Sequence, residues 1–263
     1  MPNADGSLPF SVIPAKSNDS GLTAYLVNSL NNGGSSLTVW RLNTTDPTQI
    51  NGDYGPVSIN PYSVPPNAEQ PGTGTQITTW DSRLFNAVYR TGSGLWTVNT
   101  TSCTPPGDTA QRSCLQWYQI DPNSLIIRQQ GLVQQAGYHF YAPGIAANDR
   151  GDAVLVFNTS GIDVPVSIYY TGRSHTDAPN TLQDLSLMKS GEGCYVNNNG
   201  QNTVSFNSEV TVDPMDDSLF WLHSGFVYGG DANCQNNDWA TDVAAVQFAY
   251  LSAAGNGAAQ AAK

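Results

Sequence analysis

The sequence predicts an all-β protein of the β-propeller class, and its composition and internal repetition both support this. Charged residues make up only 12% of the chain, while Asn, Thr, Ser, Gly and Pro are abundant. That mixture favours many short strands joined by turns over long helices. Six Trp, 12 Tyr and 8 Phe supply the large apolar side chains that a core needs and that a disordered segment lacks.

Four apolar segments of similar appearance recur along the chain. They start near residues 22, 83, 141 and 206, so successive starts lie 61, 58 and 65 residues apart. Each is followed by a short turn and a second strand with aromatic or β-branched residues: SLTVWRLN, GLWTVNTT, DAVLVFNT and SLFWLHSG. Strand groups that recur at a fixed period are typical of propeller blades. Chance similarity among β-rich segments is the alternative.

The repeats predict one β-propeller domain over residues 1–250, with about four visible blades and a flexible tail at residues 251–263. The Pro-rich stretch 61–76 is expected to be an extended connection between blades. Four blades form either a small ring or an open arc, which leaves two apolar faces in water. We therefore expect ring closure, self-association, or further blades upstream in a longer chain.

The tripeptide Arg150-Gly151-Asp152 raises the question of an adhesion signal, since adhesion receptors can recognise this sequence. It lies in the polar segment Asn148–Asp152, between two apolar strands. Asn, Asp and Gly are the residues that tight hairpin turns require. The equivalent segment of the next repeat, Asp213–Asp217, is equally turn-like and lacks the tripeptide. We interpret both segments as hairpin corners.

The charge balance excludes several partners. Ten Lys and Arg against 21 Asp and Glu give a formal net charge of −11, with no basic cluster, so nucleic acid is not expected as a partner. No apolar run approaches the roughly 18 residues that span a bilayer. Residues 1–10 lack the features of a secretory signal, so we expect a mature form or a fragment.

The chain has four cysteines: Cys103, Cys114, Cys194 and Cys234. No two of them form a CxxC motif, which disfavours a structural zinc site. Cys103 and Cys114 flank a loop rich in turn formers, so a disulfide between them is the simplest interpretation and leaves Cys194–Cys234 as the second. The other two connectivities remain open. Paired cysteines with few lysines predict a secreted or extracellular protein. Four N-glycosylation sequons, at Asn18, Asn43, Asn99 and Asn158, add little in so Asn- and Thr-rich a chain.

The innermost strand of each blade lines the central channel of a propeller, and ligands bind at one mouth. Polar and aromatic residues near the starts of these strands are therefore the candidate ligand-binding residues: Arg83, Tyr138, His139, Tyr141 and Asn207. Arg83 could clamp a carboxylate, and the tyrosines could stack on a sugar. Glu209 and Asp81 are the candidate catalytic carboxylates. The alternative is that all of these side chains simply fill the channel.

Other chemistries find less support. Asp213, Asp216 and Asp217 could hold a structural calcium, as could the oxygen-rich segment Gly229–Trp239, although neither matches an EF-hand. No other cofactor is expected, because no G-x-G-x-x-G or P-loop motif is present. A serine hydrolase is disfavoured by the absence of a G-x-S-x-G elbow. A sialidase requires an arginine triad, and only Arg83 falls at an innermost strand.

Several segments together resemble the C-terminal half of a group of secreted bacterial β-propeller proteins that has no agreed activity. The segments are RLFNAVYRTGSGLWTVNTTSC, GYHFYAPGIAANDRGDAVLVF, SIYYTGR and TVDPMDDSLFWLHSGFV. The wider group is loosely similar in architecture to sialidases, although the aspartate-box pattern is not matched here. The resemblance covers about residues 9–248. It implies a propeller with one disulfide in the loop from Cys103 to Cys114, and the group has further blades upstream.

The function favoured by the sequence is a recognition module that binds a glycan or another extracellular polymer at the channel mouth. The alternative is a carbohydrate-active hydrolase, sialidase-like or another glycosidase, that uses Glu209 and an Asp at the same mouth. Glycosidases need two carboxylates that face one bond, and the sequence has only three Glu. This scarcity favours binding.

Overall fold

Every regular element in the described part of the chain is a β-strand. A computed structural model describes residues 2–17, 21, 23–43, 45, 54–197, 202–204, 208–229, 234, 238–248 and 260–261. The strands of this part are β1 (Ile13–Pro14), β2 (Lys16–Ser17), β3 (Thr23–Ser29), β4 (Gly33–Asn43), β5 (Tyr54–Ser63), β6 (Leu84–Arg90), β7 (Gly94–Cys103), β8 (Arg112–Asp121), β9 (Ile126–Val133), β10 (His139–Ala147), β11 (Ala153–Gly161), β12 (Val164–Arg173), β13 (Ser186–Lys189), β14 (Glu209–Val212), β15 (Leu219–Tyr228), β16 (Asp238–Gln247) and β17 (Gln260–Ala261). Within these ranges there is no helix with the length and apolar character needed to cross a membrane.

The strands form four sheets that follow one another along the chain. Their strand orders are β1-β3-β4-β5, β2-β6-β7-β8-β9, β10-β11-β12-β13 and β14-β15-β16-β17. Neighbouring strands pair antiparallel except for β2, which pairs parallel with β6. β2 therefore belongs to the second sheet although it precedes most strands of the first sheet in sequence. The prediction of an all-β chain with four strand modules is confirmed. The domain bounds of 1–250 remain a prediction, and of the tail only β17 lies within the described residues.

Apolar side chains are buried between consecutive sheets. The first cluster joins Val39 of the first sheet to Leu95 of the second. The second cluster joins Trp96 to Leu155 of the third sheet. Strand alternation sends Val154, the neighbour of Leu155, to the opposite face, where a third cluster includes Phe220 of the fourth sheet. The second and third sheets are therefore covered on both faces.

The first and fourth sheets end the stack and differ in how their outer faces are covered. Over the first sheet, the backbone N–H of Ala4 donates to Thr38 Oγ1 at 3.0 Å, and Asn28 Nδ2 donates to Asn3 Oδ1 at 2.8 Å. On the fourth sheet, Trp221 is 42% exposed. Within the described ranges, no apolar cluster joins these two sheets. The described chain is thus an open stack, and closure into a ring is not seen.

The first long strands of the sheets lie side by side, because β3 packs against β6, β6 against β10, and β10 against β14. Polar side chains connect them. Asn86 acts like a backbone peptide: its Nδ2 donates to the carbonyl oxygen of Ile145 at 2.8 Å, and its Oδ1 accepts from the Ile145 N–H at 3.0 Å. Gly144 allows the close approach, since a Cβ there would lie 2.3 Å from the carbonyl oxygen of Ser208.

Two of the four sequons fall on buried side chains. Asn99 donates from Nδ2 to the carbonyl oxygen of Ser82 at 3.3 Å, and Asn158 donates to that of Gly225 at 2.6 Å. Both residues are inaccessible to solvent. A glycan therefore cannot be attached at either position in the folded chain. Asn18 and the side chain of Asn43 lie outside the described residues.

Replacing Asn86 with Ala is expected to lower the free energy of unfolding by about 1–3 kcal/mol, because it leaves the buried N–H and C=O of Ile145 without partners. Urea denaturation followed by tryptophan fluorescence measures this change. Asn67→Ala, at an exposed side chain, is the control and should change stability by less than about 0.5 kcal/mol. Equal stabilities of Asn86→Ala and Asn67→Ala would show that the bridge between β6 and β10 contributes nothing.

Candidate functional site

The first hairpin turns of the second, third and fourth sheets meet at one end of the stack, with Asn148 at the centre. Asn148 Oδ1 accepts from the backbone N–H groups of Arg150, Gly151 and Asp152 at 3.1, 3.0 and 2.9 Å. Its Nδ2 donates to the carbonyl oxygen of Asp217 in the fourth sheet at 2.9 Å. Its own carbonyl oxygen accepts from Ser93 Oγ in the second sheet at 2.7 Å. One side chain and its peptide thus hold three turns together.

The Arg150-Gly151-Asp152 tripeptide is the corner of the β10–β11 hairpin, as the sequence predicts. Gly151 has a φ of +93°, a conformation that favours glycine. Asp152 is inaccessible to solvent. Its Oδ1 accepts from the backbone N–H of His175 at 2.8 Å and lies 2.8 Å from His175 Nδ1. An adhesion receptor needs the aspartate carboxylate, and here that group is buried.

A cleft of about 600 Å³ opens beside these turns. It lies between β2, the end of β6, the turn after β10 and the turn after β14. It is lined by side chains of both charges together with three apolar ones: Lys16, Ser17, Arg90, Asp149, Thr211, Val212, Asp213, Pro214, Met215 and Asp217. We call it the turn-end cleft.

Arg90 is the most deeply buried charge of the turn-end cleft, with 8% of its surface exposed. Among the described residues, its guanidinium donates only from Nη1 to the carbonyl oxygen of Tyr89, at 3.0 Å, and its Nε has no hydrogen-bond partner. Burial lowers the pKa of Arg90, and the charges of Asp149 and Asp217 oppose that shift. A buried guanidinium with so few acceptors is costly unless further acceptors reach it.

Asp217 and Asp149 stand on neighbouring turns of the same cleft. Burial raises the pKa of the Asp217 carboxyl, and the nearby charge of Asp149 raises it further, while Arg150 and Arg90 act in the opposite sense. Asp149 Oδ1 accepts from the backbone N–H of Gly92 at 3.2 Å. The environment of the Asp217 carboxyl therefore favours its protonated form.

At the rim of the cleft, Lys16 of β2 forms an ion pair with Glu209 of β14, with 2.6 Å between Nζ and Oε1. The Lys16 side chain is 65% exposed and that of Glu209 38%, so solvent screens the pair and it contributes little to stability. Glu209, the predicted catalytic carboxylate, is thus matched to a lysine at the edge of the turn-end cleft and does not line it.

The three aspartates predicted as calcium ligands differ in what they contact. Asp213 Oδ1 accepts from the backbone N–H groups of Met215 and Asp216 at 2.8 and 3.2 Å. Asp216 Oδ1 accepts from the Ser218 N–H at 2.9 Å and Oγ at 2.5 Å. Asp217 faces the cleft. Among the residues with described positions, no group of three or more His, Cys, Asp or Glu side chains could hold a metal ion. Most of the Gly229–Trp239 segment lies outside these residues.

Arg83, predicted to bind ligand, and Asp81, a predicted catalytic carboxylate, lie just before β6, at the opposite end of the strand from Arg90. Arg83 binds Asp81 with both ends of its guanidinium, Nε–Oδ1 at 2.8 Å and Nη2–Oδ2 at 2.7 Å. It also lies over the rings of Phe10 and Trp80, with 5.8 and 5.9 Å between Cζ and the ring centroids. The carboxylate that Arg83 clamps is therefore one from this chain.

The predicted aromatic residues at the start of β10 are packed. Tyr141 is inaccessible to solvent, and its hydroxyl lies 3.2 Å from Ser160 Oγ. Tyr138 stacks with Phe140, their ring centroids being 6.1 Å apart, and meets Tyr169 edge-on. These contacts leave no free face of Tyr141 for a sugar. Asn207, the remaining predicted ligand residue, lies outside the described residues.

His139, the first residue of β10, belongs to a buried hydrogen-bond network. Its Nδ1 accepts from the backbone N–H of Ser113 at 3.1 Å, and its Nε2 lies 3.2 Å from Arg112 Nη1. Arg112 is itself paired with Asp108 (Nε–Oδ2, 2.8 Å) and Glu69 (Nη1–Oε2, 2.5 Å). Burial, followed by the charge of Arg112, lowers the pKa of His139 to about 4. His139 is therefore neutral near pH 7 and structural in its contacts.

Both disulfides form as the simplest interpretation of the cysteine spacing predicts. Cys103 is bonded to Cys114, and Cys194 to Cys234. The first bond closes the loop between β7 and β8. It lies next to the His139 network, since Cys114 directly follows Ser113. Stable disulfides are typical of proteins in oxidising compartments.

Sequence reasoning missed Arg90 and Asp149, which line the turn-end cleft. It placed candidates at the starts of the innermost strands, whereas the cleft lies where those strands end and the hairpins turn. A signal was present: β6 ends in Arg90, and the segments that follow β10 and β14 carry charged residues beside turn formers. By sequence alone, Asp149 is interpreted as a turn residue, and Arg90 has no distinguishing pattern.

A scan against protein-family models and a search of curated proteins each give no match. Among solved structures, the chain is similar to a protein of unknown function from Dyadobacter fermentans DSM 18053, at 10% identity and a TM-score of 0.36, over 94% of this chain and 92% of that one. It is also similar to a GH43 β-1,3-galactosidase, at 10% identity and a TM-score of 0.27, over 91% of this chain and 58% of that one. A candidate exo-β-1,3-galactanase from Bifidobacterium bifidum s17 matches at 9% identity and a TM-score of 0.29, over 100% of this chain and 94% of that one. Likenesses at this level do not establish a shared activity.

The depressed pKa of His139 predicts a loss of stability in mild acid. Since the unfolded chain takes up the His139 proton near pH 6.5 and the folded chain only near pH 4, the free energy of unfolding should fall as the pH drops between these values. His139→Gln should show a smaller fall, measured by urea denaturation across that range. His223→Gln, at an exposed side chain, is the matched control. Parallel pH profiles for wild type and His139→Gln would contradict this role.

Proposed function

We propose that the protein is a secreted recognition module of propeller type and that its turn-end cleft binds a glycan. The observation that carries the proposal is the lining of the cleft, where Asp149 and Asp217 stand beside Arg90. Sugar hydroxyls both donate and accept hydrogen bonds, so they match carboxylates and a guanidinium at once. The carbon surfaces of Pro214 and Met215 offer contacts for the C–H groups of a sugar ring.

The buried guanidinium of Arg90 adds a specific requirement to this cleft. Its Nε lacks a partner, and its only bond among the described residues is to a backbone oxygen. A ligand that brings oxygen acceptors to the terminal Nη N–H groups would improve the solvation of this charge, whereas the enclosed Nε lies beyond its reach. Hydroxyl and ring oxygens can do so without adding a negative charge beside Asp149 and Asp217.

Other ligand classes fit less well. An apolar ligand would desolvate the charges of Arg90, Asp149 and Asp217 without compensation. A polyanion would meet a chain with a formal net charge of −11 and be repelled. A neutral polyhydroxylated ligand avoids both penalties. The two disulfides support an extracellular setting for such a ligand.

The stacking of the sheets is part of the same proposal, because it is the kind of packing that a propeller uses. Three apolar clusters between four consecutive sheets are what stacked blades require. In this proposal the outer face of the fourth sheet ends the described stack and stays open to solvent.

Glycoside hydrolysis is the second candidate function, because Asp217 and Asp149 share the cleft and the environment of Asp217 raises its pKa and so favours its protonated form. In this reaction Asp217 gives its proton to the glycosidic oxygen as the bond from that oxygen to the anomeric carbon breaks. Asp149 takes a proton from the water whose oxygen bonds to the same carbon. The candidate catalytic carboxylates are thus Asp217 and Asp149 in place of Glu209, which is paired with Lys16, and Asp81.

Replacing Arg90 with Met is expected to weaken glycan binding by about tenfold or more, as loss of a buried charged hydrogen-bonding group costs about 1.5–3 kcal/mol. Affinity electrophoresis on a panel of neutral and acidic polysaccharides measures this. Arg128→Met is the matched control, since Arg128 forms an exposed pair with Asp121 on another strand. Urea denaturation verifies that both variants fold. The absence of glycan binding by the wild type, or equal losses in both variants, would contradict the proposal.

If the cleft hydrolyses glycans, Asp217→Asn should abolish the release of reducing ends from a bound polysaccharide and leave binding within about threefold, because the amide keeps its shape and hydrogen-bonding capacity. A reducing-sugar assay between pH 4 and 8 tests this. Activity should fall on the alkaline side as Asp217 loses its proton. If Glu209→Gln loses activity and Asp217→Asn keeps it, Glu209 is the general acid. Binding without release by the wild type would leave recognition as the function.

A further inference from the structure

Within the described part of the chain, no other sheet packs on the outer face of the fourth sheet, and this face continues directly from the turn-end cleft. In the strand register, Thr211 stands opposite Trp221, and Glu209 stands opposite His223. On the next strand, Val243 stands opposite His223. Residues directly opposite each other share a face, so these five side chains form one surface, which we call the Trp221 face. Trp221 is 42% exposed and Val243 61% exposed.

Trp221 is held at the rim of the cleft by a hydrogen bond. Its Nε1 donates to Asp213 Oδ2 at 2.8 Å, and Asp213 lines the cleft together with Thr211. The other oxygen of Asp213 is fixed by the N–H groups of its own turn. The indole is thus oriented before any ligand arrives, which reduces the entropy lost on binding.

We propose that Trp221 is the stacking platform of a second subsite, which binds the next residue of a neutral, linear glycan whose end occupies the turn-end cleft. This inference rests on the proposed function. An indole ring is a flat apolar surface that fits the C–H face of a pyranose. Asp213 and Glu209, on either side of Thr211, carry the carboxylates that accept hydrogen bonds from hydroxyls at the ring edge.

The charges of the surface select a neutral chain. Glu209 and Asp213 are both acidic, and the nearby cation Lys16 is already paired with Glu209 at 2.6 Å. Asp149 and Asp217 continue the acidic lining into the cleft. A glycan with carboxylates on successive residues would be repelled at both subsites.

A second copy of the chain is a weaker occupant for the Trp221 face. The exposed apolar side chains, Trp221 and Val243, are interleaved with polar His223 and Thr211. Stable protein–protein contacts need a larger, more continuous apolar centre. The alternation of one aromatic ring with hydrogen-bonding groups is the pattern expected for a sugar.

The test compares wild type with Trp221→Ala, Trp221→Phe and Trp239→Ala in isothermal titration. Trp239 is the matched control: it is 52% exposed on the same sheet but stands opposite Val227, about 20 Å along β15 from Trp221. The probes are cello-, xylo-, manno- and galacto-oligosaccharides of one to six units, with oligogalacturonates as acidic probes. Urea denaturation verifies the fold of each variant.

For at least one neutral series, the wild-type affinity should rise by about tenfold from one sugar unit to two or three, the gain typical of one stacked ring. Trp221→Ala should remove this increment and leave the affinity for the single sugar unchanged. Trp221→Phe should keep most of it, and Trp239→Ala should behave as the wild type. Equal affinities of wild type and Trp221→Ala for the longer sugars would overturn the platform.

Other outcomes separate this inference from the function on which it rests. If Arg90→Met abolishes binding while Trp221→Ala has no effect, the turn-end cleft remains the proposed binding site and the proposed stacking on Trp221 is wrong. If the wild type binds none of the probes, both are overturned. Tighter binding of oligogalacturonates would overturn the neutral ligand. A dimer in light scattering that Trp221→Ala dissociates would assign the Trp221 face to a second copy.

Discussion

The architecture depends on the need of each sheet to bury its apolar faces against the next one. A single twisted β-sheet cannot cover its own faces, so the second and third sheets depend on their neighbours for burial. In β11, Val154 and Leu155 point into different apolar clusters, one on each side of the sheet. This stacking aligns β6, β10 and β14, and it brings the hairpin turns that follow them to one end.

The candidate site is a consequence of that alignment. The carboxamide of Asn148 shapes its own turn through Oδ1 and reaches the fourth sheet through Nδ2. Once the turns are joined, Asp149 and Asp217 face one cleft with Arg90 between sheets, partly removed from water. Burial and the proximity of like charges then raise the pKa of Asp217. The electrostatics of the cleft thus follow from how the sheets stack.

The predicted site illustrates why residue type alone is not sufficient. Arg83 is a reasonable carboxylate clamp by its chemistry, but Asp81 lies two residues away and occupies both arms of its guanidinium. Tyr141 is suitable for stacking, but the apolar cluster that includes Ala68 and Val166 encloses it. His139 is held by Ser113 and Arg112. In each case, residues of the same chain already occupy the hydrogen-bonding or packing positions that a ligand would need.

By itself, the sequence determined the all-β class, the four strand modules and the simplest disulfide pairing. These depend on local patterns: alternation along strands, turn residues at hairpin corners, and two cysteines that flank a short loop. Only the tertiary structure decided which end of the strands carries the cleft, since that depends on contacts between Asn148 and Asp217, 69 residues apart. It also decided that Trp221 remains exposed while Trp40, Trp96 and Trp117 are buried. Burial is set by the neighbouring sheet, and no local pattern specifies whether a neighbour is present.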